Sequence, residues 1–392
     1  TNSLALGNID ASSLYAKGST IGLSRDVDTA GGQQYDGALQ LGADVAMTAG
    51  DNVAFGSTVD GAYELTVQAG GAVHFGGAVG STTALAGLEV DAGSFSAAST
   101  IDVSGDLGVA VTSGWIGQVG AFRVGGNASF DAGNGNIILT NPGNDFSGRV
   151  GLRGGAVLIV DANTLDLDVV DTASLYARAA TINLANDVDT TGDQQYDGAL
   201  ELGADVALTA GGNVGFGSTV DGAHELVVQA GGAVDFGGAV GSNAALAGLD
   251  VHAGSFSAAS TIDVGGNLGV AVTAGGIAQS GAFRVGGNAG FDAGTGNISL
   301  VHAGNDFAGT VDLRGNAVSI ADANTLTLGA VDAASLYAGA ATIGLSNDVD
   351  TTGDQEYDGA VVLGVDVALT AGGNVAFGST VDGAHGLAVH AG

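Results

Sequence analysis

Carboxylates are the groups in this chain whose spacing could do chemistry. Asp187 and Asp189 stand at i and i+2, so an extended backbone would turn both side chains to one side. Asp193 and Asp197 follow after a glycine turn, and the cluster recurs as Asp26, Asp28 and Asp36, then as Asp348, Asp350, Asp354 and Asp358. Calcium takes about six to eight oxygens from carboxylates and loop carbonyls. The cluster is therefore the candidate cation site, for Ca2+ or for divalent cations held diffusely. Its spacing is not that of an EF-hand, and the G-G-x-G-x-D nonapeptide of calcium-binding β-rolls is missing. No other cofactor is expected.

The remaining reactive side chains give no catalytic pattern. His224 and His385 replace Tyr63, His252 replaces Asp91, and His302 replaces Asn141. None accompanies a repeated serine in a triad-like arrangement, and no catalytic residue is expected. Arg123 recurs as Arg284 and Arg153 as Arg314. Ion pairs or stems laid along an outer wall are the expectation for these arginines.

These residues are positioned by a repeat. Tyr35, Tyr196 and Tyr357 occupy one motif at a constant offset of 161 residues, and 18 of the 22 residues from Thr191 to Gly212 recur from Thr352 to Gly373. A fixed offset without slippage decides the architecture ahead of any local argument. The chain reads as one continuous array over 1–392, with large repeats at about 13–173, 174–334 and a partial 335–392. It opens inside the pattern and stops in mid-pattern at Gly392, so a segment of a longer array is expected.

Composition supports this. Of 392 residues, 72 are Gly and one is Pro, with 45% hydrophobic residues and no Cys. That hydrophobic content argues against disorder, and zero Cys removes disulfides and thiolate zinc sites. Asp plus Glu number 41 against 8 Lys plus Arg, a net charge of −33. Such a surface repels phosphate, which argues against nucleic acid and against an anionic membrane. No apolar run is long enough to span a bilayer, so membrane insertion is not expected.

Within each large repeat, short runs alternate apolar and polar residues between Gly, Asn, Asp, Ser and Thr, with no helical stripe. Leu65/Val67, Leu88/Val90 and Val109/Val111 suggest a finer period of about 22 residues. Seven coils per repeat is the natural count, and eight shorter ones remain open. The fold expected is all-β, a right-handed parallel β-helix, forming a rod of order 85 Å at roughly 4.8 Å per coil. Glycine and asparagine are expected at corners needing positive φ. The repeated Phe55/Phe216/Phe377, Phe122/Phe283, Phe130/Phe291 and Phe146/Phe307 are expected to form an internal ladder. Positions that change freely, such as Lys17/Arg178/Gly339, Trp115/Gly276 and His74/Asp235, belong on the outer face.

From Asn127 the chain reads NASFDAGNGNIILTNPGNDFSGRVGLRGGAVLIVDANTLDL, and the wording returns from Asn288. It resembles the shafts of filamentous-haemagglutinin-like exoproteins, the large bacterial adhesins of two-partner secretion. The Gln-x-Tyr-Asp-Gly segments resemble the YDG-type repeats of the same class. The resemblance implies an extracellular or cell-surface location and a structural shaft serving adhesion, aggregation or a biofilm matrix. Further repeats of the same chain, neighbouring filaments and extracellular polysaccharide are the partners it suggests. A lateral polysaccharide-binding surface is the alternative, and a β-helical polysaccharide-degrading enzyme the more distant one.

Overall fold

The computed structural model describes residues 2–392 and is all-β, with no helix among them. None is therefore long and apolar enough to cross a membrane. The chain forms two compact units, one running to Leu184 with Asp189–Thr191, the other Ala185–Val188 with Gly192–Gly392. Each is a parallel β-solenoid.

A coil is three short strands joined at corners. In the coil starting at Gln33, the strand Gln33–Leu41 covers two faces by bending at Gly37, and Val45–Ala49 forms the third. Burial alternates residue by residue, as in Val45–Ala49, where Val45, Met47 and Ala49 point inward. This two-residue period selects strands. The turn-rich sequence ends each one within a few residues.

The register counts the coils directly. On the first face of the first unit, Leu14, Gln33, Val53, Val73, Phe95, Ile116, Ile137, Val157 and Leu175 each pair with the next. Eight steps thus cover one 161-residue period, so the coils are eight of roughly 20 residues rather than seven longer ones. The second unit repeats this from Gln194 to Gln355, again in eight steps. The expected pairing of Leu88 with Val109 is displaced by two residues, because Leu88 lies opposite Leu107.

Stacking of like on like fills the core. Tyr35, Phe55, Phe75 and Phe95 form a column on the first face, and ring contacts continue from it through Phe122, Phe130 and Phe146 on the other faces. The Phe55 and Phe75 centroids are 4.6 Å apart with nearly parallel planes, close to the spacing of paired strands, about 4.8 Å. The arrangement recurs from Tyr196 to Phe307. These rings are buried. The ladder expected of the phenylalanines is therefore present, although Phe377 in the last coils is half-buried.

The corners differ from expectation. No residue other than glycine has positive φ among the described residues, and seven glycines do. Most corner glycines serve close approach instead: a Cβ at Gly50 would sit 2.1 Å from the Ala30 carbonyl oxygen one coil below. Positive φ matters at Gly80 (71°), which opens the loop before Leu85, and at Gly61 (137°), whose N–H donates to the Thr83 carbonyl of that loop at 3.3 Å.

Truncating a ring of the column should cost a cavity. Phe75→Ala is expected to destabilise the first unit by about 3–5 kcal/mol, measured by denaturant unfolding. Phe75→Leu should lose markedly less, because it keeps most of the volume.

Candidate functional site

Most of the repeated aspartates lie at and beside the corners and bond a partner of their own. The side chain of Asp26 accepts the Ala46 backbone N–H at 2.9 Å, and Asp187 and Asp348 do the same for Ala207 (2.8 Å) and Ala368 (2.7 Å). Asp193 and Asp354 accept the N–H of Asn213 and Asn374, each at 2.7 Å. In every case the donor lies 20 residues on, in the following coil. Asp36 accepts the Tyr15 hydroxyl at 2.7 Å and the Gln34 amide at 3.0 Å. Those bonds, the tyrosine's first, hold its carboxyl below the usual range. Asp358 accepts the Tyr337 hydroxyl at 3.3 Å, and Asp197 the Gln195 amide at 2.8 Å. Asp28, Asp189 and Asp350 sit mid-strand, on the exposed outer wall.

The i, i+2 argument therefore brings these carboxylates together less than expected. Asp187 precedes the strand Val188–Thr190 and turns along the axis, whereas Asp189 lies within it and faces outward. No group of three or more His, Asp or Glu side chains is placed to hold a metal ion among the described residues.

The aspartate role is shared with asparagine. Asn52 accepts the Ala72 N–H at 2.7 Å, Asn213 accepts Ala233 at 2.7 Å and Asn136 accepts Ala156 at 3.0 Å. Each of these residues directly precedes the first inward side chain of a strand, as in Asp26-Val27, Asn52-Val53 and Asn136-Ile137. An amide and a carboxylate offer the same acceptor oxygen. What the corner uses is that oxygen.

Buried polar groups were the features the sequence reading missed. Gln33 and Tyr35 are both inside, and the Tyr35 hydroxyl donates to Gln33 Oε1 at 2.8 Å. Gln33 Nε2 in turn donates to the Thr48 carbonyl at 2.8 Å and the Val27 carbonyl at 3.2 Å. Tyr196 with Gln194 and Tyr357 with Gln355 repeat the pair at 2.9 and 3.0 Å. Burial alone raises the pKa of all three phenols. The signal available was that this Gln stays constant while the nearby glutamines change, Gln34 becoming Glu356 and Gln40 becoming Glu201 and Val362.

A second buried knot joins Asn144 to Gln118 by two reciprocal amide bonds of 2.7 and 2.8 Å, and Asn305 to Gln279 likewise. Asp161 accepts the N–H of Phe146 at 2.8 Å and of Asn163 at 2.7 Å, and Asp322 does the same for Phe307 and Asn324. The repeated Asp-Ala-Asn wording thus encodes a turn tied to the preceding coil. Desolvation is the main cause that lifts both carboxyls above the ordinary range.

The cations pair as expected of an outer wall. Arg153 lies between Asp131 (3.9 Å) and Asp171 (3.6 Å), and Arg314 between Asp292 (3.3 Å) and Asp332 (3.5 Å). Such exposed pairs contribute about 0–1 kcal/mol each. Arg123 and Arg284 stand in register between aspartates of adjacent coils. His224 lies 3.4 Å from Asp205. On the third face of the second unit, bare Gly269 and Gly290 floor a shallow cleft of about 580 Å³, with Asp250 and Asp312 among its walls.

Two measurements follow from these bonds. Replacing Asp26 by Asn should leave the unfolding midpoint nearly unchanged, whereas Asp26→Ala should cost about 0.5–1.5 kcal/mol for the lost bond. For Asp161 and Asp322 the folded chain binds protons more tightly than the unfolded one. Stability should therefore fall as pH rises from the unfolded value near ~4 through the raised folded value. The double substitution D161N/D322N should flatten the melting temperature over that window relative to the parent.

The chain matches a family described as repeats of unknown function (DUF5649) over residues 88–153 and 203–314, together less than half its length. Both stretches end at the same place in the large repeat, Arg153 and Arg314. No curated protein and no solved structure matches the chain.

Proposed function

We propose that this repeat solenoid is a length of shaft from an extracellular bacterial adhesin or fibre, with a mechanical task. The observation that carries the reading is the use made of the corner and buried polar groups. Corner carboxylates and amides bond the backbone of the next coil, and buried amides close on one another. Each coil is thus spent on holding its neighbours. The shaft-like wording of the two large copies supports the extracellular setting.

The acidic wall suits such a role. At a net charge of −33, neighbouring shafts repel within a screening distance of about 8 Å at physiological salt. Divalent cations condensed on the wall would relieve that repulsion and let filaments associate.

The test uses intact producing cells. An antibody raised against the 161-residue repeat should label them without lysis, and external protease should remove the label. Deleting residues 174–334 should preserve folding and shorten the projecting fibre by eight coil rises, about 38 Å, in electron micrographs. Labelling only after lysis, or an unchanged fibre length, would overturn the proposal.

A further inference from the structure

The two complete large repeats differ in apolar character on the outer wall of the first face. In the first unit, Gly117, Ile138 and Leu158 follow one another in register on successive coils, and the Trp115 indole lies over Gly117. Trp115 is 53% exposed, Val119 72%, and Ile138 and Leu158 37% each. The same places in the second unit hold Gly276, Ser280, Ser299 and Ser319. Four apolar side chains on three adjacent coils have thus been exchanged for glycine or serine within an otherwise near-identical scaffold. Gly117 changes as well, to Ala278. A Cβ at 117 would collide with the indole, so the glycine makes room for it.

Core packing explains none of these residues, since the second unit builds the same coils without them. Contiguous exposed apolar surface on a soluble chain marks an interaction site. Self-repulsion at −33 opposes a second copy. The lane itself carries no carboxylate, lysine or arginine: its outward residues run Ala54, His74, Ser96, Gly117, Ile138, Leu158. Ser96, one coil below the indole, and His74, two coils below, lie with Oγ and Nδ1 2.8 Å apart and offer a hydrogen-bonding edge.

We propose that the Trp115–Ile138–Leu158 stripe is a binding site for a short neutral saccharide. The indole covers Gly117 and stays half exposed, and the C–H face of a pyranose ring complements the negative quadrupole of an exposed aromatic face. Two coil steps from Trp115 to Leu158 span about 10 Å, the length of two sugar rings. The surrounding carboxylates reject acidic polymers. This site occurs in the first unit alone and is independent of the shaft reading, since a mechanical role requires no ligand.

Trp115 is the only tryptophan, so its emission reports on the stripe directly. Cellotriose, chitotriose, mannotriose and maltotriose would be titrated into the full chain by fluorescence and calorimetry, with polygalacturonate as the anionic control. At least one neutral trisaccharide should bind saturably and shift the emission to the blue. By calorimetry, Trp115→Gly and the double variant I138S/L158S should each weaken that binding at least tenfold with little change in melting temperature. These variants copy residues the second unit already tolerates. The proposal fails if no neutral trisaccharide binds at millimolar concentration, if Trp115→Gly binds undiminished, or if polygalacturonate binds more tightly. It also fails if sedimentation reveals self-association that Trp115→Gly abolishes, which would give the stripe to a second copy.

Discussion

In-register parallel stacking is the constraint on which each unit depends. A residue's neighbour along the axis is the residue about 20 positions on, as Val53 is to Val73. Any choice made at one position must therefore suit a near-copy of itself about 4.8 Å away. Rings meet that demand by stacking, and the Phe55–Phe75 contact is the closest in its column. Branched aliphatics meet it by interlocking, and acceptor oxygens by reaching for the next backbone N–H. Carboxylates on the outer wall meet it badly, since like charges then face each other, as Asp332 and Asp350 do. Interposed arginines at 153 and 314 ease the strain locally.

The same constraint explains why aspartate and asparagine interchange at corners. A charged acceptor makes a stronger bond than a neutral one, but at an exposed corner solvent levels most of the difference. The array can therefore accumulate carboxylates at positions where the fold requires only an oxygen. Strong acidity is then a property the fold permits, open to selection for surface behaviour.

Much of this was legible in the sequence, and the failures have physical causes. The 161-residue offset, the strand period and the phenylalanine ladder all follow from repetition and alternation. The coil count was harder, because Leu107-Gly-Val-Ala-Val111 offers three inward positions. A slip of two residues keeps every side chain on the same face, so alternation alone leaves it undecided. Asp187 and Asp189 turn to different sides because i and i+2 share a face only when both lie in one strand, and Asp187 lies outside it. Gln33 and Asn144 escaped notice because polar side chains are ordinarily outside. Only their bonds reveal that they belong within.

Those buried amides bear on errors of assembly. A column of valines and phenylalanines is nearly as content one storey out of place as in it, so apolar packing alone would tolerate a shifted stack. Gln33 sits where Val53 and Val73 sit in the next two coils. Displaced by one storey against the coil before it, its amide would lose the Val27 carbonyl and the Thr29 hydroxyl of that coil, keeping only the Thr48 and Tyr35 partners that travel with it. The Gln–Tyr pair, once per eight coils, thus works as an index mark: it lets a monotonous stack count.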